Sequence, residues 1–127
     1  MTKIKELVQF INGIAPYALQ ENYDNSGLIT GNPDANITGV LVSLDCTETV
    51  IEEAIELGCN VVLSHHPIVF KGLKSLTGKN YVERTVIKAI QNNISILSCH
   101  TNLDNILDGV NAKIANKIGL INTQILA

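Results

Sequence analysis

All three histidines of this 127-residue chain sit where an apolar run turns polar, in Ser64-His65-His66 and in Ser98-Cys99-His100. Asp104 follows His100 by four residues, so a single helical turn would place both side chains on one face. Imidazole nitrogen combined with carboxylate oxygen suits zinc, iron or manganese better than calcium or magnesium. His65, His66, His100 and Asp104 are therefore read as ligands of one or two divalent metal ions. Neighbours such as His65 and His66 point to opposite sides of an ideal strand. Either the bend at Pro67 turns both toward one cleft, or each serves a different ion, with Asp104 as the bridging carboxylate of a dinuclear site. A lone histidine at a strand end is more often structural, but three beside an aspartate on one edge favour metal.

Other residues have two readings each. Asp45 is a further ligand, a support that orients a histidine, or the N-cap of the helix over Thr47–Leu57 with Glu48 completing the box. Asp24 and Asn25 position substrate or support the ligands, or they shape a turn. Lys71 and Lys74 contact an anionic substrate or are solvated surface groups. Cys46, Cys59 and Cys99 are read as structural residues, Cys99 in a strand core. There is no GxxxxGK[ST] phosphate loop, and no Ser-His-Asp grouping has a better use for the histidines.

The elements that must carry these residues alternate. Ile4, Leu7, Val8, Ile11 and Ile14 have helical spacing, with Thr2 as N-cap and Pro16 as terminator. A short run, Leu28-Ile29-Thr30, leads into the turn Gly31-Asn32-Pro33-Asp34. Val40–Asp45 has the composition of a fully buried parallel strand. A helix with Val50, Ile51, Ala54 and Ile55 on one face follows and stops at Gly58. Strand Asn60–His66, a loop over Pro67–Gly78, and a helix capped by Asn80 and Glu83 with Val82, Val86, Ala89 and Ile90 come next. Strand Ile94–His100 precedes a helix capped by Asp108, carrying Val110, Ile114 and Ile118 and ending at Gly119. A weak final strand is expected over Ile121–Leu126. The fold class is α/β, a mainly parallel sheet sandwiched by helices, in a single domain over 1–127. Loops at the C-terminal edge of such a sheet converge on one crevice, and the three histidines occupy that edge.

Composition narrows the partners. With 46% hydrophobic and 17% charged residues the chain can bury a core without disulfides, and three cysteines form no disulfide framework. A net charge of −3 and a single arginine leave no basic footprint for nucleic acid. No apolar run is long enough to span a membrane, and the amphipathic N-terminus does not read as a signal peptide. A cytoplasmic protein acting on a small molecule is expected.

Six segments occur in order: Glu21-Asn22-Tyr23-Asp24-Asn25-Ser26-Gly27-Leu28, Leu44-Asp45-Cys46-Thr47, Ser64-His65-His66-Pro67-Ile68-Val69-Phe70-Lys71-Gly72, His100-Thr101-Asn102-Leu103-Asp104, Gly109-Val110-Asn111 and Ile118-Gly119-Leu120. The set resembles the family of type 2 GTP cyclohydrolase I homologues, also called NIF-three-like or YbgI-like, across essentially the whole chain. The resemblance implies the N-terminal portion of a NIF-three-like fold and a toroidal homohexamer. It also implies a dinuclear site in which His65, His66 and His100 ligate, Asp104 bridges, and the Asp24-Asn25 loop lies nearby. It further implies a metal-dependent hydrolase that opens the purine ring of a GTP-like substrate, a phosphoester being equally compatible with the site. The alternative is a non-catalytic metal-binding scaffold or regulatory partner. Family members are longer and complete the site with a late His-x-x-x-Glu motif, which this sequence lacks. Its own ligand set is therefore expected to hold metal weakly.

Overall fold

The computed structural model describes residues 1–124. Helix α1 spans Ile4–Ile14 and a short 3₁₀ turn spans Tyr17–Leu19. Strand β1 (Gly27–Thr30), strand β2 (Val40–Ser43), helix α2 (Glu48–Glu56), strand β3 (Val61–Ser64) and helix α3 (Tyr81–Gln91) follow. Strand β4 (Ser95–Ser98), helix α4 (Thr101–Asp104) and helix α5 (Val110–Ile118) complete the order. The four strands form one sheet in the order β1-β4-β3-β2. β2, β3 and β4 are mutually parallel and β1 runs antiparallel against β4, so the sheet is mainly parallel and flanked by helices. No helix among the described residues is long and apolar enough to cross a membrane.

Alternation of side chains divides the sheet into two faces. On one, Val62 and Ile96 are fully buried against Ile51 and Ala54 of α2 and Val86 and Ala89 of α3. On the other, Leu63 and Val42 share an apolar cleft of about 190 Å³ with Ile11 and Ile14 of α1. Burial of each full aliphatic side chain contributes about 1.5–3 kcal/mol, and β3 and β4 supply Val61, Val62, Ile96 and Leu97 to it.

β2 departs from the expected buried strand. It lies at the sheet edge, paired only with β3 among the described residues, and Val42 is 71% exposed. Two expected N-caps also move. Thr2 is outside α1, because its carbonyl accepts from Ile37 N–H at 2.8 Å as the chain joins the Lys3–Asn36 bridge. Lys3 is the N-cap instead, its N–H donating to the Glu6 carboxylate at 2.6 Å. Gly109, not Asp108, is the N-cap of α5 and gives no side-chain cap bond. A Cβ on Gly109 would lie 1.9 Å from the Leu103 carbonyl oxygen, so the tight α4–α5 approach fixes where α5 can begin.

Asn80 caps α3 through Glu83 N–H at 2.9 Å, and Gly58 and Gly119 close α2 and α5 at φ of 68° and 79°. Ile55, Ile90, Ile114 and Ile118 are exposed despite their helical spacing, so the apolar stripes are wider than the surface buried here. Residues 121–124 are not in a strand; the rest of the expected final strand lies outside the described residues.

Candidate metal centre

The parallel strands place one serine each at the same level, Ser43 opposite Ser64 and Ser64 opposite Ser98. Ser43 Oγ donates to the Asp45 carbonyl at 2.8 Å, and Ser64 Oγ donates to the His66 carbonyl at 2.9 Å. Each hydroxyl thus folds its own chain two residues past the strand end. The consequence is that His65 and His66 lie beyond β3 and escape strand alternation. Their N–H groups still reach the Ser43 and Leu44 carbonyls at 3.2 and 2.9 Å, and their rings sit 5.1 Å apart.

His100 follows β4 and completes the group. Its ring centroid is 5.1 Å from that of His65 and 5.5 Å from that of His66. One ring nitrogen from each of His65, His66 and His100 lies within 4.8 Å of the others. The Nδ1 of every ring is already engaged. His65 Nδ1 donates to the Cys99 carbonyl at 2.9 Å, His66 Nδ1 to Asp45 Oδ1 at 2.7 Å and His100 Nδ1 to Asp24 Oδ1 at 2.9 Å. Carbonyl and carboxylate oxygens can only accept, so each Nδ1 carries a proton, which in the neutral imidazole leaves the lone pair on Nε2. This is the support that orients imidazoles toward a cation.

The carboxylates differ in setting. Asp104, at the end of α4, brings Oδ1 to 3.8 Å from His65 Nε2, so the one-turn helix does put it beside the imidazoles, although nearer to His65 than to the group as a whole. Asp45 is 59% exposed and its pairing with His66 replaces the expected cap role. Thr47 is the N-cap of α2, accepting from Val50 N–H at 3.3 Å. Asp24 has a fully enclosed side chain. It accepts from His100, the Asn25 and Thr101 amides at 2.7 and 3.0 Å, and the Ser26 and Thr101 hydroxyls. Burial works to raise its carboxyl, but the bonds from Thr101 and His100 outweigh it and hold the group well below the usual carboxylate range.

Asn25 stands one step back: its Nδ2 donates to the Val69 carbonyl at 2.6 Å, tying the Asp24 loop to the loop after His66. Sequence reasoning did not single out Thr101 and Asn102. Thr101 binds Asp24, and Asn102 is wholly buried, accepting from His100 N–H at 2.9 Å and donating to the Ala15 carbonyl at 2.7 Å. Their only signal was their place between His100 and Asp104. Cys46 and Cys99 are poor ligands here. Burial pushes the Cys46 thiol up to about 12, and burial raises Cys99 against the opposing Asn102 contact. Lys71 and Lys74 are exposed, with no acidic partner within ion-pair distance among the described residues.

A family profile described as Duf34/NIF3 (NGG1p interacting factor 3) matches residues 2–127. The chain belongs to the Duf34/NIF3 family. It is 42% identical, over 98% of its length, to a Clostridium acetobutylicum protein named GTP cyclohydrolase 1 type 2 homolog, of which it covers 47%. Among solved structures, Staphylococcus aureus protein SA1388 matches with a TM-score of 0.91 at 42% identity, covering 98% of this chain and 36% of that one. A Bacillus cereus protein related to NIF3 matches with a TM-score of 0.92 at 36% identity, covering 99% of this chain and 35% of that one. This Duf34/NIF3 chain thus spans half or less of the length of these relatives.

Proposed function

We propose that this chain, folded as one α/β unit, supplies His65, His66, His100 and Asp104 to a divalent-metal centre of a cytoplasmic hydrolase acting on a small, nucleotide-like molecule. What supports the reading is one observation: three imidazoles with Nδ1 anchored and one ring nitrogen of each within 4.8 Å of the others. The name of the Clostridium acetobutylicum relative supports a purine nucleotide as substrate class. Zinc, iron or manganese held there would supply Lewis acidity, polarising a substrate group and acidifying nearby water. The chain's own residues orient the centre. Asp45, Asp24 and the Cys99 carbonyl hold the Nδ1 side of each ring, and the Asp104 carboxylate beside His65 would add negative charge and an oxygen ligand. A homo-oligomeric ring belongs to the same reading, and the uncovered apolar residues of β2 and α5 support it.

The test is turnover of GTP and a phosphomonoester panel by full-length protein with added zinc or manganese, compared with Asp104→Ala. Metal-dependent turnover that falls at least tenfold in the variant is expected; equal turnover would overturn the reading. Those same apolar residues also favour a second reading, a metal-linked regulatory scaffold without catalysis. It predicts partner capture that is lost on chelation and in His65→Ala.

A further inference from the structure

Beside the histidines the surface is aromatic, and the metal reading leaves that feature unused. Phe70 lies in the loop after His66, with its ring 6.3 Å from the His100 ring and edge-on to it. Tyr23 lies in the loop that carries Asp24, with its ring 6.2 Å from that of Phe70. Both residues are exposed, Tyr23 at 64% and Phe70 at 45%.

Their backbones are nevertheless held. Asn25 Nδ2 bonds the Val69 carbonyl at 2.6 Å, joining residues two after Tyr23 and one before Phe70. Ile68 is buried, and Asp24 is locked to His100 and Thr101. Two pre-positioned aromatic rings kept in water forgo the burial they would gain elsewhere, and they cost little further ordering when a flat ligand covers them. Lys71, next in the chain, is exposed with no acidic partner among the described residues.

We propose that Tyr23 and Phe70 form the ring-recognition subsite of the centre, taking the planar heteroaromatic base of a nucleotide, with Lys71 toward its phosphate. The inference rests on the metal-centre reading only for the location of the reacting group. Stacking on π-faces tolerates any base, so the subsite selects flat rings over sugars and leaves the choice among bases to other contacts.

The test is equilibrium binding of GMP and of ribose 5-phosphate to full-length protein, with a parallel zinc titration, for wild type, Phe70→Leu, Phe70→Tyr and Tyr23→Leu. GMP affinity is expected to fall about fivefold or more in Phe70→Leu and Tyr23→Leu, the low end of one lost stack being about fivefold, and to be retained in Phe70→Tyr. Ribose 5-phosphate and zinc affinities stay unchanged in all three variants. GMP binding that ignores both leucine variants, or zinc binding by a wild type that does not bind GMP, would overturn the subsite. Ring-dependent GMP binding without zinc binding would sustain it while removing the metal reading.

Discussion

Asp24→Asn separates an oriented histidine cluster from a chance grouping. Two oxygens of Asp24 take five donors: His100 Nδ1 and Asn25 N–H at one, Thr101 N–H and the Thr101 and Ser26 hydroxyls at the other. An asparagine amide must replace one oxygen with an NH₂ group. Placed at the first position, the amide faces the Asn25 N–H and drives His100 to the other tautomer. Placed at the second, it faces the Thr101 N–H. At the second position the buried Thr101 N–H is left unpaired, which costs about 1–3 kcal/mol. At the first the exposed Asn25 N–H can turn to water but His100 loses its tautomer, and in both cases charge-assisted bonds weaken. A loss of about 3 kcal/mol follows, lowering the thermal midpoint by roughly 10–15 °C in a chain of this size. Because Asp24 holds His100, zinc affinity should also fall about 10–100-fold. Thermal unfolding by circular dichroism and a calorimetric zinc titration read the two effects. A midpoint within about 2 °C of wild type together with unchanged zinc affinity would refute the reasoning.

The remaining predictions use the same logic. Asp45→Asn touches an exposed carboxylate, so stability should change by about 1 kcal/mol or less while zinc affinity falls about tenfold, the reverse weighting of Asp24→Asn. Glu83 is buried and accepts from the Thr77 amide and hydroxyl at 2.9 and 3.1 Å, the Lys79 amide at 3.3 Å and Asn80 Nδ2 at 3.0 Å. Glu83→Gln should free the loop before α3, seen as faster amide exchange at Thr77 and Lys79. The Asp24 and Glu83 carboxyls are both held below their ordinary values. Their stabilisation is complete above the unfolded-state pKa of about 4 and is lost as pH falls through the lower folded values. Urea midpoints should therefore be flat from neutrality to about pH 5 and drop below about pH 4; a midpoint that rises on acidification would contradict the assignment. Gly109→Ala should cost about 1–3 kcal/mol by overpacking against Leu103 and Ile106, measured by urea unfolding.

How much of this was legible in the sequence varied by element. β3 and β4 are central, so their runs are buried on both faces and read unambiguously. Val40-Leu41-Val42 has the same composition, yet strand order makes β2 an edge, and strand order is not encoded in any local pattern. The serine before each polar turn was visible, but the i→i+2 bonds of Ser43 and Ser64 that take the chain out of strand alternation were not. That is why the sequence left open whether His65 and His66 could face one cleft. Asp45 and Thr47 both had cap chemistry. Geometry gave the cap to Thr47, whose Oγ1 reaches the amide three residues on, and left Asp45 beside His66. Contacts between residues about eighty apart, such as Asp24 with Thr101, needed the fold.

The central claim is tested most directly by long-range ¹H–¹⁵N NMR of the histidine rings in the full-length protein before and after zinc addition. The Nδ1–H tautomer is predicted for His65, His66 and His100, with all three Nε2 resonances moving on zinc binding and all three Nδ1 protons retained. Nε2–H tautomers in the metal-free protein, or zinc leaving any of the three Nε2 resonances in place, would contradict the account.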